Sequence, residues 1–203
     1  MSYRILAPYT RWQLGPYHLE AYRHQDLETI RLWRNAQIAV LRQPAPLTPE
    51  DQQRYWATHI EPSFQQDQPK IMLFSFLHQG QPIGYGGLTN TDWQARRTEL
   101  SFLAATERTA EQNPQQYAVD FGAFLTLTKY MVFQRLGLHR LFTETYDIRP
   151  LHLQLLEAAG LQPEGRLRHH AWANNRHVDS LLHGILSTDP AAQPPANGSL
   201  LES

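Results

Sequence analysis

A chain of 203 residues with 18 Lys+Arg against 19 Asp+Glu has a formal charge of -1, too little field to gather nucleic acid or an anionic membrane surface. Its length suits one hydrophobic core that buries about 70% of the unfolded surface. Cysteine is absent, so disulfide frameworks, thiolate metal sites and acyl-cysteine chemistry are excluded. Neither the first residues nor any later stretch holds an apolar run of signal-peptide or bilayer-spanning length, and a cytoplasmic location is expected.

In chain order, a short strand is expected near residues 3–6, a strand over 17–22, and a helix over 26–35 with Leu27, Ile30 and Trp33 at helical spacing. Thr48-Pro49-Glu50-Asp51 combines a capping hydroxyl, a proline at the first helical position and acids in the first turn, so a helix starts there and runs towards Ile60. The β-rich runs 71–78, 81–91 and 97–104, joined by a Gln-Gly pair and an Asp92-Trp93-Gln94 turn, read as an antiparallel meander. A largely apolar helix follows over 117–136, stopped by Gly137, then a strand over 139–147, a short helix over 150–159 closed by Gly160, and a strand over 178–186. Residues 187–203 are rich in Pro, Ala and Ser and read as a disordered tail. The order predicts an α+β or mixed α/β fold, one domain over 1–186 with helices covering a central sheet.

Several segments carry a resemblance. Ile83-Gly84-Tyr85-Gly86-Gly87-Leu88, Thr98-Glu99-Leu100-Ser101-Phe102-Leu103 and 133–141 follow one another as the third, fourth and fifth strand segments of the GNAT superfamily do, and the match covers roughly 17–186. The 155–168 stretch is similar to the branch containing the ribosomal-protein N-terminal acetyltransferases. The resemblance implies a mostly antiparallel sheet whose fourth and fifth strands splay apart, acetyl-CoA as cosubstrate, and direct attack of a primary amine on the thioester without a covalent enzyme intermediate. The acceptor is then a small amine, with a nucleotide-linked amino sugar favoured, or a protein N-terminus; a non-catalytic binding protein on the same scaffold stands as the reading from another class.

Such chemistry needs a proton acceptor near the amine, and Glu99 is the candidate; a surface pairing with Arg96 or Arg97 is its plain alternative, and Glu144 is the competing carboxylate. Many relatives place a tyrosine acid in the helix after the fifth strand, where this chain has Leu156, and His152 one turn earlier is the substitute donor. The resemblance places the pantetheine arm along the backbone of Ser101, Phe102, Leu103 and Ala104. The phosphate loop departs from the family pattern because 106–117 has no glycine and Pro114 removes a donor; the amides of Gln115, Gln116 and Tyr117, with Arg108 and Arg149, are the candidates for CoA. Trp33, Arg34, Asn35, Tyr85, Asp92 and Trp93 are candidates for the acceptor wall. No metal site is expected: His169 and His170 are adjacent on a strand and point to opposite faces, with His177 and Asp179 read as structural. An exposed sheet edge would pair in a homodimer or be covered by residues 1–15.

Overall fold

The computed structural model describes residues 1–193 and, as backbone, 200–202. Among these, nine strands form one sheet: β1 (Arg11–Leu14), β2 (Tyr17–Ala21), β3 (Met72–His78), β4 (Gln81–Asp92), β5 (Arg97–Ala104), β6 (Arg140–Tyr146), β7 (Gln162–Ala173), β8 (Arg176–Leu186) and β9 (Leu200–Glu202). Their spatial order is β7-β8-β6-β5-β4-β3-β2-β1-β9. Every neighbouring pair is antiparallel except β5 and β6. The main helices are α1 (Leu27–Ala36), α2 (Pro49–Tyr55, continued by a π turn to Ile60), α3 (Pro114–Tyr130) and α4 (Pro150–Ala158). This is the expected mostly antiparallel sheet flanked by helices.

Local chemistry accounts for the elements that position the site. Thr48 Oγ1 accepts the Asp51 N–H while Asp51 accepts the Thr48 N–H, a reciprocal capping box behind Pro49. Asn113 caps α3: its side chain accepts the Gln116 N–H at 3.2 Å and its carbonyl accepts the Tyr117 N–H at 2.8 Å. From α3, Phe121 and Phe124 pack on Phe102 of β5 with ring centroids 4.9 and 4.5 Å apart, fixing the helix on the middle of the sheet.

The expected strand near 3–6 is instead a 3-10 turn, Arg4–Leu6. Tyr3 is held there because its hydroxyl donates to the Leu73 carbonyl and accepts the Leu73 N–H, so a side chain rather than a β-ladder satisfies these groups. The chain enters the sheet at β1, which covers the β2 edge as the N-terminal alternative had it, and β9 lies against β1. β7 was anticipated only at His169 and His170: residues 162–170 are exposed on both faces, so the strand lacks the alternation that marks a half-buried one. Within the 187–203 stretch, Pro190–Ala192 form a 3-10 turn with Ala192 buried, and Leu200–Glu202 form β9; residues 194–199 and 203 lie outside the described residues.

Candidate active site

β5 and β6 pair in parallel only at Arg97/Arg140, Thr98/Leu141 and Glu99/Phe142, then diverge. On its other side β5 stays paired with β4 through Ala104, and the Ala105 N–H continues that ladder to the Ile83 carbonyl. Since hydrogen-bonding groups alternate along a strand, the N–H and C=O of Phe102 and Ala104 face the gap. Gln37 Nε2, 2.9 Å from the Ala104 carbonyl, occupies one of these groups; the Phe102 groups have no β6 partner in the ladder. The gap opens into a cavity of about 200 Å³ bounded by β5, β6, α4 and the 37–48 segment, which contributes Val40, Leu41 and Arg42.

At the point of divergence two carboxylates hold one guanidinium. Glu99 is 7% exposed. Its Oε1 accepts from Arg42 Nη2 at 2.8 Å and its Oε2 from Asn90 Nδ2 at 2.7 Å. The same Arg42 nitrogen lies 3.0 Å from Glu144 Oε2. Glu144 Oε1 is buried without a hydrogen-bond partner among the described residues; His170 Nε2 approaches it at 3.5 Å. The alternative pairing of Glu99 with Arg96 or Arg97 does not occur. Arg96, in a left-handed turn at φ 53°, donates to the Gly137 carbonyl, and Arg97 reaches Asp92, its cross-strand partner, at 3.6 Å. Arg42 and Asn90 escaped the sequence reading. Arg42 arrives from a segment without periodicity, and Asn90 is aimed by a β4 bulge between Thr89 and Asp92, where its φ of 50° suits asparagine.

The second cluster joins α3 to α4. Tyr117 Oη lies 2.6 Å from His152 Nδ1 and accepts from Arg149 Nη2 at 3.1 Å. His152 is buried and stacks on Phe121 at 4.4 Å. Burial, then the charge of Arg149, pushes its pKa well below the ordinary histidine value, so the ring is neutral near pH 7 and is not an imidazolium acid. Burial also raises the Tyr117 pKa, with Arg149 opposing. Leu156 is wholly buried in the core. His18 shifts downward as well, by burial and then the charge of Arg11. An unfolded histidine protonates near pH 6.5 and these buried rings do so only below it, so stability is full above about 6.5 and declines as pH falls towards the folded values. Thermal unfolding is expected to give a lower Tm at about pH 5 than at about pH 7.5, with His152→Asn recovering part of the difference.

Other expected site residues are distributed differently. Arg34 lines the cavity and donates to Gln43 Oε1 at 2.9 Å and to the Tyr85 hydroxyl. Asn35 accepts the Leu47 N–H at 2.8 Å and holds Gln43, so it anchors the 37–48 segment from behind. Trp33 is core packing with Leu27 and Ile30. Asp92 and Trp93 line a separate depression of about 520 Å³, and the Trp93 indole donates to the Pro69 carbonyl. Arg108 makes a two-pronged pair with buried Asp120 at 2.7 and 2.9 Å, which matches its charge internally. The Asn113 cap engages the Gln116 and Tyr117 amides offered for phosphate, and Gln115 is exposed. A second cavity of about 420 Å³ lies between this loop, residues 36–40 and the Ile148-Arg149 turn that leads into α4. Both cavities are bordered by Val40 and Arg149. Among the described residues no helix is long and apolar enough to cross a membrane, and no group of three or more His, Asp or Glu residues is placed to hold a metal ion.

A family model described as an acetyltransferase (GNAT) domain matches residues 19–182. Among solved structures, the chain is similar to a spermidine N-acetyltransferase from Vibrio cholerae in complex with CoA and spermine, with a TM-score of 0.74 and 19% identity over 85% of this chain and 96% of that one. It is also similar to a dodecameric structure of spermidine N-acetyltransferase from Vibrio cholerae in an intermediate state, with a TM-score of 0.69 and 20% identity over 85% and 95% of the two chains. Mutant forms of the Vibrio cholerae spermidine/spermine N-acetyltransferase match at a TM-score of 0.71 and 20% identity, with the same coverage. At such identities the likeness establishes the fold. No curated protein matches the chain.

Proposed function

The chain belongs to the GNAT acetyltransferase domain family, and from that premise we propose that it transfers acetyl from acetyl-CoA to a small cationic primary amine seated between Glu99 and Glu144. The supporting observation is the guanidinium of Arg42, a cation already gripped by both carboxylates at 2.8 and 3.0 Å at the point where β5 and β6 part. An ammonium presents the same charge and donors, and the unpartnered Glu144 Oε1 accepts a further N–H. The solved neighbour bound to spermine is an enzyme for that kind of acceptor.

Acetyl-CoA fits the passage from the other side. Its pantetheine arm lies along the β5 edge with an amide N–H donating to the Phe102 carbonyl that faces the gap, as an added strand would, and the larger cavity receives the remainder. With the Gln116 and Tyr117 amides engaged by Asn113 and Arg108 matched by Asp120, Arg149 is the cation we assign to the CoA side. The bound amine loses a proton to Glu99, attacks the thioester carbon, and the open-edge N–H of Phe102 lies beside the developing oxyanion.

A cavity of about 200 Å³ is smaller than pockets that enclose drug-sized ligands, roughly 300–1,000 Å³. It favours an aliphatic amine over a nucleotide-linked amino sugar. The 155–168 segment resembling the ribosomal-protein branch lines neither cavity, so it carries no argument for a protein acceptor. The test is thiol release from acetyl-CoA with a linear polyamine, a nucleotide-linked amino sugar and a free-N-terminus peptide offered separately. Turnover with the polyamine is expected; turnover confined to the sugar or the peptide would reject the cationic-amine assignment.

A further inference from the structure

A polar cluster borders the two cavities, and of its members the reaction so far uses only Arg149. Tyr117, 1% exposed in the first turn of α3, borders the larger cavity, His152 borders the smaller, and Arg149 borders both. The Tyr117 hydroxyl is held between His152 Nδ1, whose residue lines the smaller cavity, and Arg149 Nη2, whose residue lines both. A thioester reaching from the cofactor side to an amine at Glu99 passes there.

We propose that Tyr117 is the proton donor to the departing thiolate, with Arg149 and His152 both donating to its oxygen. The inference rests on the acetyl transfer proposed above. A phenol oxygen has two acceptor positions and one proton, and a guanidinium only donates. When His152 carries its proton on Nδ1, both acceptor positions are filled, and the phenolic proton is left for a group in the passage. Leu156 offers no proton from its place in the core.

The step balances as follows. The neutral amine forms the C–N bond, and collapse of the tetrahedral intermediate breaks the C–S bond, its electron pair going to sulfur. The phenolic proton moves to sulfur and gives the CoA thiol. The tyrosinate left beside the Arg149 cation is reprotonated by water from the open cavity, and the proton shed by the amine leaves through Glu99. Burial keeps both Tyr117 protonated and His152 neutral before the step. A thiol of pKa about 8.5 is a moderate leaving group, and positioned proton transfer of this kind contributes about 10²–10⁴-fold.

The test follows thiol release with an amine that the parent protein acetylates. Tyr117→Phe keeps the ring packing and is expected to lower kcat about 100-fold, while the CoA Kd by calorimetry and the acceptor KM stay within about threefold. His152→Asn retains a donor at the Nδ1 position and is expected to keep most activity, whereas His152→Leu loses it. A Tyr117→Phe protein with kcat within about threefold of the parent, or one whose loss lies wholly in CoA binding, overturns the inference. Should Tyr117→Phe not fold, equal activity of the two His152 variants overturns it. A parent that releases no thiol with any amine rejects the proposed function and this step together.

Discussion

Glu99→Gln is expected to lower kcat/KM for a cationic amine by about 100-fold, with folding little changed, because general-base contributions fall in the 10²–10⁴ range. Glutamine keeps an oxygen for the Asn90 side chain, and Arg42 keeps Glu144, so no buried charge is stranded. The Arg42 side chain is itself 49% exposed, which limits the lost ion pair to under about 1 kcal/mol. Glu144→Gln should act differently: its carboxylate contributes charge for binding, so KM is expected to rise about tenfold with kcat nearly retained. Arg42→Gln should shift KM the other way, since it removes the internal cation that competes for the same two carboxylates. Steady-state kinetics of the three variants with one amine measures this pattern. If Glu99→Gln keeps kcat and Arg42→Gln raises KM, the carboxylates are structural partners of Arg42 and the acceptor binds elsewhere.

The contrast between Glu99 and Arg42 shows what kind of information the sequence holds. Glu99 was legible because it stands on a β-rich run between clear turn signals, and the resemblance placed that strand beside the splay. Arg42 was not, because the 37–48 segment has no periodicity; its position depends on side-chain anchors, Asn35 to Leu47, Arg34 to Gln43 and Gln37 to Ala104, which join residues up to 67 positions apart. The meander was readable to within a residue at most ends because its β-rich runs are bounded by turn residues, although the strands are buried along most of their length and carry little alternation. β7 has no buried face. Trp33, Asp92 and Trp93 looked like site residues because large aromatics and acids near a turn serve ligands and cores alike. Only the packing separates them: Trp33 faces the core and Trp93 a different depression. Arg108 gave no sign that Asp120, in the second turn of the next helix, would claim its charge.

Gly86→Ala is expected to cost about 3 kcal/mol of stability and to distort the cleft from behind, because extra atoms in a packed interior cost about 1–3 kcal/mol or more. An added Cβ would stand 2.2 Å from the Ser101 carbonyl oxygen, 2.9 Å from Phe102 Cα and 2.9 Å from the Phe124 ring. Two of these contacts are backbone of β5, so no side-chain rotation relieves them, and Phe124 is clamped between Phe76 and Phe102. Relief requires β5 to move towards the gap at Ser101–Phe102, the residues facing the cavity. For a domain of this size the loss corresponds to a Tm decrease of roughly 6–12 °C, and acetyl-CoA affinity should fall with it. Gly122→Ala provides the opposite control on α3. Its Cβ meets nothing within 4 Å, and alanine in a helix interior is expected to add about 0.5–1 kcal/mol. Chemical denaturation of the two variants reads both signs at once. Equal stability of Gly86→Ala and the parent would mean that β4 and β5 are not packed this closely, and the backbone groups assigned to the pantetheine arm would lose their fixed position.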